Sequence, residues 1–229
     1  MPAPVELRIL TRADQAAMVE VLTEAFASDA LYLTLLGADA ALRARLIRFI
    51  VTANRLGGGV AVGVVEQASA ALPPGSTRER LLGCALVEPP ATASVVVRGW
   101  RALRLGVRFA PVWLRLGNAR VRVLRRLHRR AHTLAPRAPH HYLTMIGVRT
   151  DAHGRGLGRA LLGAVEAAVR HHPSSTGVAL DTENPANVAL YQHWGFSVRG
   201  GFELAGMTVS CLFRAVPSAS SRGASRRDA

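Results

Sequence analysis

The chain has 229 residues, 49% of them hydrophobic, and its 29 basic and 15 acidic residues give a formal net charge of +14. This length suits one well-buried domain, and no apolar run reaches the ~18 residues that a membrane-spanning helix needs. The start MPAPVELRIL lacks the basic segment and apolar core of a secretion signal, so we expect a cytoplasmic protein. Cys84 and Cys211 lie in apolar, strand-like stretches, which favours buried free thiols.

The positive charge is unevenly distributed and consists only of arginine. The sequence contains no lysine, and together with its many alanines this indicates a compositional bias of the coding genome as much as a partner. No acidic residue occurs between Glu88 and Asp151, while arginines accumulate there. A basic surface attracts nucleic acid, anionic membranes or any polyanionic ligand. Charge alone therefore does not choose among these partners.

The N-terminal part of the chain predicts one strand, two helices and a β-hairpin. VELRIL alternates as a first strand, and Thr11 with Asp14 forms a capping box for a helix that runs to about Ala27. Asp39 is the candidate cap of a second helix, which ends at the glycine run 57–59. GVAVGVVE and ERLLGCALVEPP then predict the two strands of a hairpin, the second of them stopped by its two prolines.

Residues 91–139 are rich in arginine and interrupt this pattern. Apolar residues lie between the arginines, and four of the arginines share one helical face: Arg98, Arg101, Arg104 and Arg108. We interpret the segment as an amphipathic helical excursion whose arginine face is solvated. An interfacial helix on an anionic surface is the alternative.

The C-terminal part predicts strand, helix, strand, short helix and two closing antiparallel strands. These elements are HHYLTMIGV, the loop and helix of VRTDAHGRGLGRALLGAVEAAV, TGVALDT, NPANVALYQHW, GFSVRGGFEL and MTVSCLFRAV. The complete order predicts an α/β fold with a single mixed sheet of about six to seven strands and helices on both faces. We expect one domain over residues 1–216, with 91–139 as a helical insertion between strands 3 and 4, and a disordered tail over 217–229.

The stretch HGRGLGRA favours a phosphate-binding loop that opens a helix. A Walker loop requires a lysine, which the chain lacks, and a dinucleotide fingerprint requires glycine where Arg159 stands. A turn without a ligand is the remaining alternative. N–H groups at a helix N-terminus attract phosphate, and glycines let a phosphate approach the backbone. Arg155 and Arg159 add charge and fork-like donors, so we expect a diphosphate here.

At this loop the sequence resembles the GCN5-related N-acetyltransferase (GNAT) superfamily. Its signature, glutamine or arginine followed by x-x-Gly-x-Gly/Ala, is matched by residues 153–158 at every position except the first, where His153 stands. Thr150, where the family often has proline, is a milder departure. A second block of the family, N-x-x-x-x-x-x-Y-x-x-x-G-F, is matched in register by Asn184, Tyr191, Gly195 and Phe196. The resemblance covers most of residues 5–214 and is weakest over 91–139. Within the superfamily, the sequence is loosely similar to the puromycin N-acetyltransferase branch.

The resemblance implies an acetyl-CoA-dependent N-acetyltransferase that acts on a primary amine of a small molecule by direct attack in a ternary complex. Tyr191 stands where many members protonate the coenzyme thiolate, with core packing as its alternative role. Asp181 is the candidate general base and Glu183 the alternate. The residues implied to contact the coenzyme are Ile146, Gly147, Val148, His153, Gly154, Arg155, Gly156, Leu157, Gly158, Arg159, Asn184 and Tyr191.

Nucleic acid, a membrane surface and a metal ion are the alternative partners. A basic protein that binds nucleic acid or a membrane surface on an inactive scaffold is the alternative function, but no interleaved aromatic pattern supports a dedicated single-strand binder. Four histidines that could bind a metal occur between residues 128 and 141: His128, His132, His140 and His141. Their spacing does not supply a convincing ligand set, so we expect no metal. A homodimer remains open.

The few acidic residues predict the charge of the acceptor. Four of them are expected to converge at the acceptor cleft that the resemblance implies: Glu24, Asp29, Asp181 and Glu183. A local cluster of carboxylates in a basic protein favours a protonatable amine carried on a compact, partly apolar body.

Overall fold

A computed structural model describes residues 4–67, 79–90 and 105–216. The strands are β1 (Val5–Ile9), β2 (Val60–Gln67), β3 (Glu79–Glu88), β4 (His141–Val148), β5 (Gly177–Thr182), β6 (Ser197–Leu204) and β7 (Met207–Ala215). The helices are α1 (Gln15–Ala25), α2 (Ala30–Leu36), α3 (Ala40–Leu56), α4 (Ala110–Leu134), α5 (Leu157–Arg170) and α6 (Pro185–His193), and a 3-10 turn occupies Thr150–Ala152.

The seven strands form one mixed sheet in the order β1-β2-β3-β4-β5-β7-β6. Neighbouring strands are antiparallel except β4 and β5, which run parallel and pair only where His141 meets Val178 and Tyr142 meets Ala179. The rest of β4 and β5 has no ladder between them, so a cleft opens in the middle of the sheet. The predicted mixed α/β sheet and its β2–β3 hairpin are confirmed.

Helices cover both faces of the sheet, as predicted. On one face α1, α2, α3 and α4 enclose a core that includes Leu22, Ile47, Val51, Leu86, Leu116 and Met145. On the other face α5 buries Leu161, Val165 and Val169 against Val62 and Leu180. The two cysteines are buried free thiols, one in each of β3 and β7.

Local caps explain where the helices near the N-terminus begin. The carboxylate of Asp39 accepts the N–H of Leu42 at 2.8 Å, so α3 begins and ends where the sequence predicts. Asp14 accepts the N–H of Thr11 at 2.7 Å, but α1 begins one residue after Asp14. A guanidinium nitrogen of Arg8 lies 2.7 Å from the same carboxylate and lowers the pKa of Asp14 to about 2.

The described part of the arginine-rich segment is α4, which confirms a helical excursion between strands 3 and 4. Gly117 has the left-handed φ of 72° with ψ of 161°, so the helix is kinked there. The apolar side of α4 packs toward α3 and the sheet. Seven arginines of α4 are exposed and are here called the arginine face: Arg115, Arg120, Arg122, Arg125, Arg126, Arg129 and Arg130.

Some predictions lie outside the described residues, namely those for Arg98, Arg101 and Arg104 and for the tail 217–229. Within the three described ranges, no helix is both long and apolar enough to cross a membrane.

Candidate active site

Residues 153–159, here called the glycine loop, comprise the end of the loop after β4 and the first residues of α5, and they present bare backbone at a helix N-terminus. Gly154 and Gly156 have left-handed φ values of 76° and 71°, and a Cβ built at either would meet no atom within 4 Å. Gly156 is the N-cap of α5 and supplies no side-chain acceptor. The first N–H groups of this helix therefore lie beside open space that an anion can enter.

The cationic side chains of the glycine loop differ in what they already bind. A guanidinium nitrogen of Arg155 lies 2.9 Å from the carboxylate of Glu66 on β2, whereas Arg159 is exposed on the first turn of α5. Nε2 of His153 lies 3.1 Å from the carbonyl oxygen of Val148 and so ties the loop to the end of β4. Arg159 is thus available to an anion at once, while Arg155 must first leave Glu66.

Arg149 anchors the segment just before the glycine loop to α1. Its guanidinium lies 2.7 Å from the carboxylate of Glu20 and 3.0 Å from that of Glu24. Glu24 also accepts the N–H of Thr150 at 2.7 Å, which lowers the pKa of Glu24. The prediction that Glu24 faces the acceptor cleft is wrong, because its carboxylate is used to hold this segment in place.

A cavity of about 1300 Å³ lies at the cleft between β4 and β5, roofed by α3 and α4. Both diverging strands contribute to its floor, through residues 143–146 and 180–183. Four predicted site residues line it: Ile146, Asp181, Glu183 and Tyr191. The glycine loop lies outside the cavity, beyond the carboxyl end of β4, and we call the space the acceptor cavity.

Four carboxylates line the acceptor cavity: Asp29, Glu88, Asp181 and Glu183. Three of them were predicted to lie here, and the fourth is Glu88 instead of the predicted Glu24. Glu88 accepts a hydrogen bond from the hydroxyl of Thr144 at 3.2 Å across the β3–β4 pair. The antiparallel register of β3 against β4 brings Glu88 to the cavity, and the residue types alone carry no signal of that register.

Asp181 is held by a tyrosine that sequence reasoning missed. The hydroxyl of Tyr142 donates a hydrogen bond to Oδ1 of Asp181. Burial raises the pKa of Asp181, and this hydrogen bond opposes the rise only in part. The ring of His132 stacks on the ring of Tyr142, with the centroids 4.4 Å apart and the ring planes at 24°. This contact from α4 helps to hold the tyrosine in place. The result is a carboxylate that binds protons more readily than an exposed aspartate.

Glu183 and Asp29 form a second acidic site in the same cavity. Burial and the hydrogen-bonded neighbour Asp29 raise the pKa of Glu183, because two carboxylates in contact are more stable when they share a proton. Asp29 is fixed independently, since it caps α2 by accepting the N–H of Tyr32 at 3.0 Å.

Tyr191 is buried against its own helix and still reaches the cavity. Its ring packs edge-on against those of Trp194 and Phe196, with centroids 5.9 and 5.5 Å away. Burial and the charge of Asp181 raise the pKa of Tyr191 to about 12. Asn184 fixes the start of α6 by accepting the N–H of Ala186 at 2.9 Å, which is the capping role predicted for it. The tyrosine hydroxyl therefore stays protonated at neutral pH and can donate a proton.

The histidines considered as metal ligands do not converge. The rings of His128 and His132 lie 4.2 Å apart, while His141 is hydrogen bonded to Ser175 at 2.7 Å and His140 lies 2.8 Å from the carbonyl oxygen of Ala138. In the part of the chain that the structure covers, no group of three potential ligands is placed to hold a metal.

This arrangement of strands, helices and cleft is the GNAT fold. A Corynebacterium glutamicum structure described as histone acetyltransferase HPA2 and related acetyltransferase superposes with a TM-score of 0.61 at 20% identity, covering 96% of this chain and 98% of that chain. Arabidopsis thaliana NAA60 superposes with a TM-score of 0.53 at 14% identity in its complex with a bisubstrate analogue. Its complex with acetyl-CoA gives a TM-score of 0.52 at 13% identity, and each NAA60 comparison covers 93% of this chain and 99% of that chain.

Part of the sequence also matches a family model. Residues 116–196 match the model of the acetyltransferase (GNAT) family, a stretch that contains both sequence blocks described above. This stretch of the chain therefore resembles the GNAT acetyltransferase family, which agrees with the family that the two sequence blocks predict. Membership of the puromycin branch stays a prediction. No curated protein sequence matches the chain.

Proposed function

We propose that the protein transfers the acetyl group of acetyl-CoA to a primary amine of a small molecule, by direct attack in a ternary complex. One observation carries this proposal: residues of both strands that flank the cleft line the acceptor cavity together with Tyr191 and Asp181. A proton donor, a proton acceptor and the opened strand edges thus face one space.

The coenzyme would lie across the end of β4. Its diphosphate would meet the N–H groups of the glycine loop and Arg159, and its pantetheine arm would follow the cleft toward Ile146. A backbone N–H between Ile146 and Val148 would face the thioester oxygen and stabilise the oxyanion. The complex of the related fold NAA60 with acetyl-CoA supports this coenzyme.

The chemistry needs two proton transfers. The neutral amine attacks the thioester carbonyl carbon, a C–N bond forms, and the C–S bond breaks. The nitrogen loses one proton to Asp181, and the leaving thiolate gains one from Tyr191. Return of the proton from Asp181 to Tyr191 through water restores the enzyme. A carboxylate with a raised pKa and a tyrosine that stays protonated fit these two roles.

Direct attack is favoured over an acetyl-cysteine intermediate. Burial raises the pKa of Cys84, and burial with the charge of Asp181 raises that of Cys211, each to about 12. A thiol at such a pKa contributes almost no thiolate at neutral pH and is a poor nucleophile.

Release of coenzyme thiol, measured with amines of several classes between pH 6 and 9, tests this function. Asp181→Asn should lower the rate at least tenfold where the wild-type carboxylate is ionised. The loss should shrink toward low pH, because the raised pKa of Asp181 leaves the wild-type carboxylate protonated there. Glu203→Gln, which changes an exposed carboxylate on β6, is the matched control and should keep the rate. Full rates across this range in both Asp181→Asn and Glu183→Gln would show that neither carboxylate is the base.

Binding measurements separate this function from its alternative. Acetyl-CoA should raise the melting temperature, while RNA or anionic vesicles should not. Stabilisation by RNA or vesicles without stabilisation by acetyl-CoA would contradict the proposed transferase.

A further inference from the structure

One end of the acceptor cavity is built of aromatic side chains. The ring of Phe49 on α3 lies edge-on against those of Phe109 and Trp113, with centroids 5.2 and 4.6 Å away. Phe49 and Trp113 line the cavity and are only half-buried, so part of each ring faces the open space. We call this surface the aromatic wall.

The aromatic wall continues into aliphatic surface on α3 and on the start of α4 with the residues just before it. The further lining residues are Leu46, Ile50 and Ala53 from α3, with Leu105 and Ala110 from the other side. None of them carries a charge or a side-chain hydrogen-bonding group. Only an apolar body can gain from contact with this surface, because a polar one would lose its water without finding a partner.

Asp181 and the aromatic wall lie beside different parts of α4. Trp113 lies before the kink at Gly117, whereas His132, near the other end of α4, stacks on the Tyr142 that holds Asp181. A helix rises about 1.5 Å per residue, so α4 covers about 22 Å between Gly117 and His132. The cavity therefore offers the carboxylate of Asp181 toward one end of α4 and the aromatic wall toward the other.

We infer, resting on the proposed function, that the acceptor is an amphipathic amine: one primary amino group carried on an alkyl or aryl body that packs against the aromatic wall. The amino group would be drawn to Asp181 and its neighbouring carboxylates, and α4 would select the body. A short or doubly charged amine would leave the wall without a partner.

Two arginines that line the acceptor cavity could contact a negatively charged group on the acceptor. Arg122 and Arg125 line the cavity but are exposed on α4, and neither forms an ion pair with a cavity carboxylate among the described residues. Exposed guanidinium groups contribute little to binding. We therefore expect a free carboxylate on the acceptor to add nothing, which a comparison of phenylalanine with its amide checks.

A homologous series of amines tests the inference. The value of kcat/KM should rise about threefold to fourfold per added methylene from ethylamine to hexylamine, as burial of each methylene predicts. Pentylamine should exceed 1,4-diaminobutane, which has the same length and a second charge, at least tenfold. A flat series, a preference for the diamine, or no reaction of any amine with an enzyme that binds acetyl-CoA would overturn the inference. Failure to bind acetyl-CoA by titration calorimetry would instead remove the proposed function.

Two variants, one that fills the apolar end of the cavity and one that empties it, test whether the aromatic wall causes the dependence of kcat/KM on chain length. Ala53→Leu fills the apolar end and should lower kcat/KM for hexylamine at least tenfold while leaving ethylamine within twofold. Trp113→Ala empties it and should flatten the series. Val107→Ala, at an exposed position that does not line the cavity, is the control. Equal losses for ethylamine and hexylamine in a folded Ala53→Leu protein would place the acceptor body elsewhere.

Discussion

At the scale of single residues, a substitution at Tyr191 shows whether this tyrosine donates a proton or only packs against its neighbours. Tyr191→Phe keeps the ring contacts with Trp194 and Phe196 and removes only the hydroxyl. We expect kcat to fall about 10²-fold while the Kd of acetyl-CoA stays within twofold. Steady-state kinetics with titration calorimetry measure both, and Leu190→Ala on the same helix is the control. A wild-type kcat would leave Tyr191 with packing alone.

Gly158 tests the coenzyme loop without disturbing the fold. A Cβ at this position has only Trp194 near it, at the ordinary distance of 3.7 Å, and the residue lies in α5. Gly158→Leu should therefore keep or raise Tm, since glycine is a poor helix former, and should weaken acetyl-CoA at least tenfold, about 1.4 kcal/mol. Gly163→Leu, an exposed glycine of the same helix with nothing within 4 Å, should leave the coenzyme affinity unchanged. Equal affinities in the two variants would move the diphosphate away from the loop.

The Asp29–Glu183 pair should make stability depend on pH. The pKa of Glu183 is raised in the folded protein, so its contribution is present at low pH and is lost as the pH rises through the folded value. We expect Tm to fall between pH 5 and pH 9, and Glu183→Gln, which cannot ionise, to reduce that fall. Calorimetry at several pH values measures it, with Glu203→Gln as the control. An unchanged slope in Glu183→Gln would show that the two carboxylates do not share a proton.

At the scale of elements, the packing of α1 on β4 depends on the absence of a side chain. A Cβ at Gly147 would lie 2.7 Å from Cβ of Ala25 and 3.1 Å from a methyl group of Leu22. Gly147→Ala should therefore lower the free energy of unfolding by about 1–3 kcal/mol, as overpacked cores do. Urea denaturation measures this, and Gly163→Ala should show no loss. A stable Gly147→Ala protein would mean that α1 can shift outward freely.

The elements that sequence reasoning predicted are those with local signals. Asp39 and the glycine run mark the two ends of α3, and alternating apolar residues mark the hairpin strands. The sequence therefore predicts all three of these elements. The seven-residue α2 was missed because it is shorter than two helical turns and has no clear period. The start of α1 was placed too early because Asp14 caps the turn before the helix and is also held by Arg8.

The residues of the candidate site likewise fall into those that a local sequence signal predicts and those that it does not. The glycine loop, Tyr191, Asp181 and Glu183 belong to sequence blocks and were predicted. Glu88 and Tyr142 were not, because they reach the cavity through the register of β3 against β4. The aromatic wall joins α3 to α4, two helices far apart in sequence, and only tertiary packing brings their rings together.

At the scale of the whole molecule, the net charge of +14 should act on coenzyme capture. Acetyl-CoA is polyanionic, so the association rate constant should fall several-fold between 20 and 500 mM NaCl, while kcat at saturation changes little. Stopped-flow binding measures the first and steady-state turnover the second. An association rate that does not change with salt would mean that the arginine face lies too far from the entry path to matter.

The arginine face has a further consequence for the chemical durability of the protein. A protein that holds an activated thioester exposes its own surface amines to acylation, and each acylated lysine would lose its charge. This sequence contains no lysine, and a guanidinium remains protonated, and so a poor nucleophile, throughout the physiological range. The positive surface of α4 can therefore surround the reaction without being consumed by the reagent that the reaction uses.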